Sequence, residues 1–276
     1  MKKTITIVVI VFFTITINAQ NWMHSLEDAK KTALASNKLI LVDFWASWCG
    51  PCRKMDLNTW SRKEVTDLMQ NFVPLKIDID SHRSIAKHYG VRGIPNVFII
   101  DANGKVIYSG VGYRNKSQMA KTLTDYMAEM SFLQKELIAF YKKSNYSTAL
   151  RLADKYQIYS IYAKGDIKRS FLNLAKEYFE ISKKDIKKKK LKNAKTLNQK
   201  IKLFNIRKQL VLKRSKKVLK QITKIKETEI LQANVSLYSF LNYVAYKQMG
   251  DNEKALKWVK KLNPKDKKIA ELILKV

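Results

Sequence analysis

The chain has 276 residues, 46% of them hydrophobic, and 54 Lys and Arg against 23 Asp and Glu give it a net charge of +31. This length predicts two domains, and two cysteines are too few for a scaffold held together by disulfides. Lysine outnumbers arginine 45 to 9, which argues against phosphate recognition, for which arginine is preferred.

The N-terminal residues have the pattern of an export signal. Lys2 and Lys3 precede an apolar run at 5–17 that is too short to span a bilayer comfortably, and Ala19 offers a small residue for cleavage. We expect residues 1–19 to be a signal peptide cleaved near Ala19, which places the mature chain in the periplasm. An uncleaved membrane anchor is the alternative. Nucleic acid is not an expected partner of an exported protein.

Charge divides the remaining chain. Residues up to Met130 carry a net charge of +6 and those from Ser131 carry +25. We therefore predict a first domain at 20–130 and a lysine-rich second domain at 131–276.

Periodicity and turn signals predict the elements of the first domain. Asn103-Gly104 is a strong hairpin signal between two strands. In chain order, the pattern first predicts a helix at 26–36, a strand at 39–44 and a helix after the cysteines with a break near 59–61. A strand at 73–80 and a short helix ended by Gly90 follow, and then strands within 94–101 and 106–113. The closing helix is predicted at 117–130, with four apolar residues on one face: Met119, Leu123, Met127 and Met130. This order predicts an α/β layer structure.

Three segments in this domain carry a family resemblance. "LVDFWASWCGPC", "YGVRGIP" and the final hairpin resemble thioredoxin in order and spacing over residues 22–130. The long stretch between the first two is similar to exported thioredoxin-like domains, which include the C-terminal domain of DsbD-type membrane reductases. The resemblance implies a thioredoxin fold, with a central mixed sheet flanked by helices.

The cysteine pair suits disulfide exchange, in which the attacking species is a thiolate. Cys49 lies where a strand turns into a helix, and free backbone N–H groups there favour an anion. Pro51 is tolerated in the first helical turn, and Gly50 leaves the approach of a substrate open. We therefore expect Cys49 to be the exposed nucleophile and Cys52 to be the more buried resolving thiol of a redox disulfide.

Two other interpretations of the pair remain. Zinc sites use four ligands, and besides the two cysteines the chain offers only His24, His82 and His88, so neither a metal nor another cofactor is expected. An inert pair inherited from an ancestral enzyme stays open.

The resemblance also implies roles for two charged residues. Asp43 matches the buried carboxylate of thioredoxin, and its apolar strand should raise its pKa, which would let it take the proton of Cys52. Lys76 matches the lysine that accompanies this carboxylate. The alternative for Lys76 is a solvated lysine at the end of a strand.

The family further implies a surface for substrates. The bond between Ile94 and Pro95 is expected to be cis and to pack against the cysteines, where Gly93, Ile94 and Trp48 would receive an extended substrate segment. A merely structural Pro95 is the alternative.

The second domain is predicted to be all-α. Two segments resemble tetratricopeptide hairpins without a clear fixed period, so the domain is either an array that binds partner proteins or a helical cap. Residues 181–220 carry 17 Lys and Arg and one acidic residue, and an apolar near-heptad stripe predicts one long basic amphipathic helix. Its partner would be an anionic membrane surface or an acidic partner, and a solvated face is the alternative.

These observations predict an exported thiol–disulfide oxidoreductase that reduces or isomerises disulfides in client proteins and receives electrons from a membrane donor. A helical scaffold whose thioredoxin domain serves mainly as a docking surface is the second hypothesis.

Overall fold

A computed structural model describes residues 22–275. The predicted signal peptide and its cleavage site near Ala19 lie outside the described residues. Within them, no helix is both long and apolar enough to cross a membrane.

Four strands and thirteen α-helices make up the described part of the chain. The strands are β1 (Leu39–Trp45), β2 (Phe72–Asp78), β3 (Asn96–Ile100) and β4 (Val106–Val111). The helices among and just after them are α1 (Leu26–Ser36), α2 (Gly50–Met55), α3 (Lys63–Met69), α4 (Arg83–His88) and α5 (Lys116–Tyr126). The rest are α6 (Ser131–Lys142), α7 (Tyr146–Tyr162), α8 (Gly165–Lys189), α9 (Ala194–Val211), α10 (Ser215–Ile222), α11 (Val235–Gln248), α12 (Asn252–Val259) and α13 (Pro264–Lys275).

The strands form one mixed sheet in the order β2-β1-β3-β4. β1 is parallel to β2 and antiparallel to β3, and β3 is antiparallel to β4. β1 is central and its first six residues are buried, which explains why its sequence is apolar on both faces. The predicted thioredoxin fold with a central mixed sheet is confirmed.

Local signals placed most of the elements correctly. The side chain of Ser25 caps α1 by accepting a hydrogen bond from the backbone N–H of Asp28 at 3.2 Å. Gly104 takes φ of 81° in the β3–β4 turn, as its hairpin signal required. A π-helical segment, Asp56–Trp60, continues α2 into the predicted break near 59–61.

The closing helix is shorter than predicted. α5 ends at Tyr126, Met127 is 45% exposed, and Met130 is buried. The backbone N–H of Met130 donates to the carbonyl of Asn37 at 3.0 Å. Met130 therefore packs from the start of the next helix and does not lie on the face of α5.

The prediction of a single long basic helix at 181–220 is wrong. These residues belong to α8, α9 and α10, which are separated by breaks at Lys190 and Lys213, where φ is 48° and 56°. An unbroken helix of forty residues would be about 60 Å long and would carry most of its apolar stripe past any compact core. Folding back lets α9 pack against α7, α8, α10 and α11.

A buried carboxylate joins the sheet to these helices. Asp101 follows β3, and its Oδ2 accepts hydrogen bonds from the hydroxyls of Tyr156 at 2.9 Å and Tyr178 at 2.6 Å. Its Oδ1 accepts from the backbone N–H groups of Asn103 and Lys105. We call these five residues the Asp101 cluster. One continuous hydrophobic core extends through both regions, and the division at residue 130 stays a prediction.

Candidate active site

The cysteine pair lies where β1 leads into α2. Cys49 is the N-cap of α2, and its Sγ accepts a hydrogen bond from the backbone N–H of Cys52 at 3.2 Å. The two sulfurs form a disulfide with an S–S distance of 2.04 Å. Gly50 and Pro51 occupy the first turn, and Gly50 has open space around its Cα. The helix terminus thus points the backbone N–H of Cys52 at the sulfur of Cys49.

The predicted difference in exposure between the two cysteines is wrong for this oxidised state. Cys49 is 3% exposed and Cys52 is 2% exposed. Both pack with Ala46 in a small apolar cluster, against which the half-buried Trp45, Ile79 and Ile94 pack. The roles of Cys49 as nucleophile and Cys52 as resolving thiol stay predictions, and they rest on the position of Cys49 at the helix N-terminus.

The Ile94-Pro95 bond is cis, as predicted. Ile94 packs against the cysteine cluster, and a Cβ on Gly93 would lie 3.3 Å from the side chain of Val111. The carbonyl of Pro95 accepts from the backbone N–H of Gly112 at 2.8 Å. These contacts hold the loop before β3 between the cysteines and the end of β4.

Two exposed apolar side chains lie in segments next to this loop, one in the turn between β1 and α2 and one at the end of β4. Trp48 is 63% exposed, and its Nε1 donates to the carboxylate of Asp80 at 2.8 Å. Val111 is 65% exposed next to Gly93. Such side chains suit the docking of an extended client segment. The substrate-binding roles of Trp48, Gly93 and Ile94 remain predictions.

Asp43 is buried in the middle of β1. Its Oδ2 accepts a hydrogen bond from Nε1 of Trp60 at 3.1 Å, and its Oδ1 has no partner in the described structure. Burial raises the pKa of Asp43 to about 7, although the nearby ammonium of Lys76 opposes this rise. A carboxyl group with this pKa can exchange a proton near neutral pH, as a general base must.

Lys76 is mostly buried, with 12% of its side chain exposed, and it is paired, which contradicts the solvated-lysine alternative. Its Nζ lies 2.5 Å from Oδ1 of Asp56 and 4.0 Å from Oδ2 of Asp43. The ring of Trp45 lies 4.8 Å from the ammonium and the ring of Trp22 lies 5.7 Å from it. The lysine therefore neutralises Asp56 more directly than Asp43.

Sequence reasoning missed Asp56 and Trp60. Asp56 follows Cys52 by four residues, one helical turn, and this spacing could have indicated a second carboxylate on the helix face that carries Cys52. Its negative charge contributes to the raised pKa of Asp43. Trp60 carried no signal in the sequence, because its contact with β1 depends on the path of the chain through the π-helical segment.

Replacing Asp56 with asparagine is expected to lower the pKa of Asp43 below about 7. The substitution removes a negative neighbour and leaves the ammonium of Lys76 free to interact with Asp43. Because the ionised carboxylate is the base, the pH above which Cys52 is activated should fall with it. NMR titration of the Asp43 carboxyl carbon measures this shift. The control is Asp67→Asn on the exposed face of α3, and an unchanged or raised pKa in Asp56→Asn would contradict the prediction.

The described residues offer no cluster of side chains for a metal ion. Between residues 22 and 275, no three His, Cys, Asp or Glu side chains are grouped so that they could hold a metal ion. The ring of His88 packs edge-on against Tyr89, and Nδ1 of His82 lies 3.3 Å from the carbonyl of Asp78.

A mixed sheet that presents a Cys-Gly-Pro-Cys disulfide beside the loop of a cis-proline, with a buried carboxylate in the strand that leads to the cysteines, defines a thiol–disulfide oxidoreductase. The thioredoxin family model matches residues 14–125. Thioredoxin of Chlorobaculum thiosulfatiphilum is 39% identical over 94 residues, which are 34% of this chain and 84% of that protein. Thioredoxin of Pyropia yezoensis is 35% identical over 36% of this chain and 90% of its own length.

Among solved structures, the reduced C-terminal domain of DsbD from Neisseria meningitidis is 27% identical and covers 36% of this chain and 91% of that domain, with a TM-score of 0.33. On the strength of the sequence relatives, the chain belongs to the thioredoxin family. The matched family model ends at residue 125, before the helices from α6 onward.

Proposed function

We propose that this thiol–disulfide oxidoreductase is exported to the periplasm and there reduces or isomerises disulfides in client proteins. The observation that carries the proposal is the Cys49–Cys52 disulfide at the N-terminus of α2, beside cis-Pro95. In the proposed reaction the Cys49 thiolate attacks one sulfur of a client disulfide and forms a mixed disulfide, while the client S–S bond breaks and the other client sulfur leaves as a thiolate. Cys52 then loses its proton to Asp43 and attacks the sulfur of Cys49, which releases the reduced client.

The dipeptide between the cysteines supports the direction of electron flow. Gly-Pro also separates the cysteines of thioredoxin, whose potential is about −270 mV, against about −120 mV for the oxidant DsbA. The two cations that follow Cys52, Arg53 and Lys54, each have a partner other than the cysteine sulfurs. Nη1 of Arg53 donates to the carbonyl of Ser47 at 2.6 Å, and Nζ of Lys54 lies 5.0 Å from the ring of Tyr113. A reductant in an oxidising compartment needs an electron supply, and we propose a membrane donor.

Equilibration against glutathione is expected to give a reduction potential closer to −270 mV than to −120 mV, as measured by the fluorescence of Trp45 and Trp48. The partly buried Trp45 packs against the cysteine pair, so its emission should differ between the two redox states. A potential above about −150 mV would assign the protein to the oxidases.

An insulin-reduction assay with dithiothreitol tests the activity itself. The enzyme should accelerate reduction well beyond dithiothreitol alone. The second hypothesis, a helical scaffold with a docking surface, predicts no acceleration. Export is tested separately by mass spectrometry of the mature N-terminus, which is expected near Gln20, and an intact N-terminus would favour the membrane-anchor alternative.

A further inference from the structure

Two cavities of about 570 Å³ and 560 Å³ lie along the seam of α8, α9 and α10. Lys183 and Asn198 line both cavities, so together they form one groove, which we call the basic groove. Its lining includes one carboxylate, Glu180, and six lysines: Lys183, Lys184, Lys187, Lys190, Lys202 and Lys224. It lies outside the part of the chain that matches thioredoxin.

The lysines of the basic groove are not neutralised. In residues 22–275, none of the six ammonium groups lies within 4.0 Å of a carboxylate oxygen. All six side chains are exposed. Concentrating like charges in a concave site focuses the positive potential there. The groove therefore attracts an anion more strongly than the same lysines spread over a convex face.

The floor of the groove is one face of α9. Ala194, Asn198, Ile201 and Asn205 follow one another at the four- and three-residue spacing of a helical stripe. The side-chain amides of Asn198 and Asn205 make no hydrogen bond within the described part of the chain. From Ala194 to Asn205 the stripe is about 16 Å long, the length of three helical turns. A helix laid between α8 and α10 would cover it.

We propose that the basic groove binds an acidic helical segment of a partner protein, about three turns long. Carboxylates on one face of that helix would accept hydrogen bonds from the rim lysines and from the amides of Asn198 and Asn205. A flat bilayer cannot follow the concave floor. Six lysines without an arginine on the rim suit carboxylates better than phosphates, which arginine holds with two parallel hydrogen bonds.

The test uses the full mature chain with its cysteines oxidised, so it is independent of redox activity. The probe is a fluorescein-labelled 16-residue helical peptide with glutamates at i, i+3, i+4 and i+7 in an alanine background. Fluorescence anisotropy should show binding that weakens as salt is added. The same peptide with glutamines should not bind.

Matched charge reversals separate the groove from the general charge of the chain. The groove variant is Lys183→Glu, Lys202→Glu and Lys224→Glu, and the control is Lys260→Glu, Lys267→Glu and Lys268→Glu. Each lowers the net charge by six units, and the control lysines are exposed and do not line the groove. The groove variant should bind the peptide at least about 30-fold more weakly, and the control should change binding less than about twofold.

Three results would overturn the proposal: no binding by the unmodified chain, equal loss in both variants, or tighter binding to phosphatidylglycerol vesicles or inorganic polyphosphate than to the peptide. If the groove variant fails to fold by circular dichroism, the corresponding glutamine substitutions, which remove charge without reversing it, replace it and should weaken binding about tenfold.

Discussion

Cys52→Ser is expected to accumulate covalent complexes with client proteins that disappear on treatment with dithiothreitol. The variant keeps the Cys49 thiolate at the N-terminus of α2, so it can attack a client disulfide, but it lacks the thiol that would release the client. Multiple-turnover insulin reduction should fall by about 10³-fold. Non-reducing electrophoresis and mass spectrometry of the trapped species measure the first effect and also identify the clients.

Cys49→Ser is the matched control for this experiment. It also removes one sulfur from the pair and should lose turnover to the same extent, but it should trap no clients because the thiol of Cys52 lies further along the helix. Both cysteines are almost fully buried in the oxidised state, so exposure alone does not distinguish them. Equal trapping by the two variants, or the reverse pattern, would show that nucleophile and resolving thiol are wrongly assigned.

Asp101→Ala is expected to lower the free energy of unfolding by about 3–5 kcal/mol. The substitution leaves the buried hydroxyls of Tyr156 and Tyr178 and two backbone N–H groups without their acceptor. Burial raises the pKa of Asp101, and the four donated hydrogen bonds oppose this rise. Urea denaturation followed by circular dichroism measures the loss.

Two graded variants separate the cluster from a general effect of mutation. Tyr178→Phe removes one donor and keeps the ring, so it should cost about 1 kcal/mol. Asp67→Ala on the exposed face of α3 should change stability by less than about 0.5 kcal/mol. If Asp101→Ala cost no more than Asp67→Ala, the cluster would not stabilise the contact between the sheet and the helices.

The chemistry of the cysteine site could be predicted from sequence because its parts are short motifs. Cys49 and Cys52 are one helical turn apart, and Asp43 lies six residues before Cys49 in β1, the strand that leads to them. The raised pKa of Asp43 was predicted because a carboxylate occurs in an apolar strand. In the structure Asp43 is only 2% exposed, and this burial is the cause of the raised pKa. The cis bond before Pro95 was also predicted correctly, but that prediction came from the family resemblance and not from the local sequence.

The exposure of Cys49 was not predictable in the same way. Backbone position placed it at the start of a helix, but burial depends on what packs over the sulfur. Ile94 and Ile79 come from segments more than twenty residues away in the chain. The contacts of Lys76 also depend on distant residues, because its partner Asp56 is separated from it by 20 residues. The family pattern named the lysine, and the structure showed which carboxylate it contacts.

Sequence alone determined what depends on neighbouring residues. The spacing of apolar side chains gave the strands and helices, Asn103-Gly104 gave the hairpin, and the two-residue spacing of the cysteines gave the redox motif. Tertiary structure decided what depends on distant residues. It broke the basic stretch at Lys190 and Lys213, because α9 gains more burial among its neighbours than a straight helix would. It also brought Tyr178 to Asp101 across 77 residues, because a buried carboxylate needs donors wherever the fold can supply them.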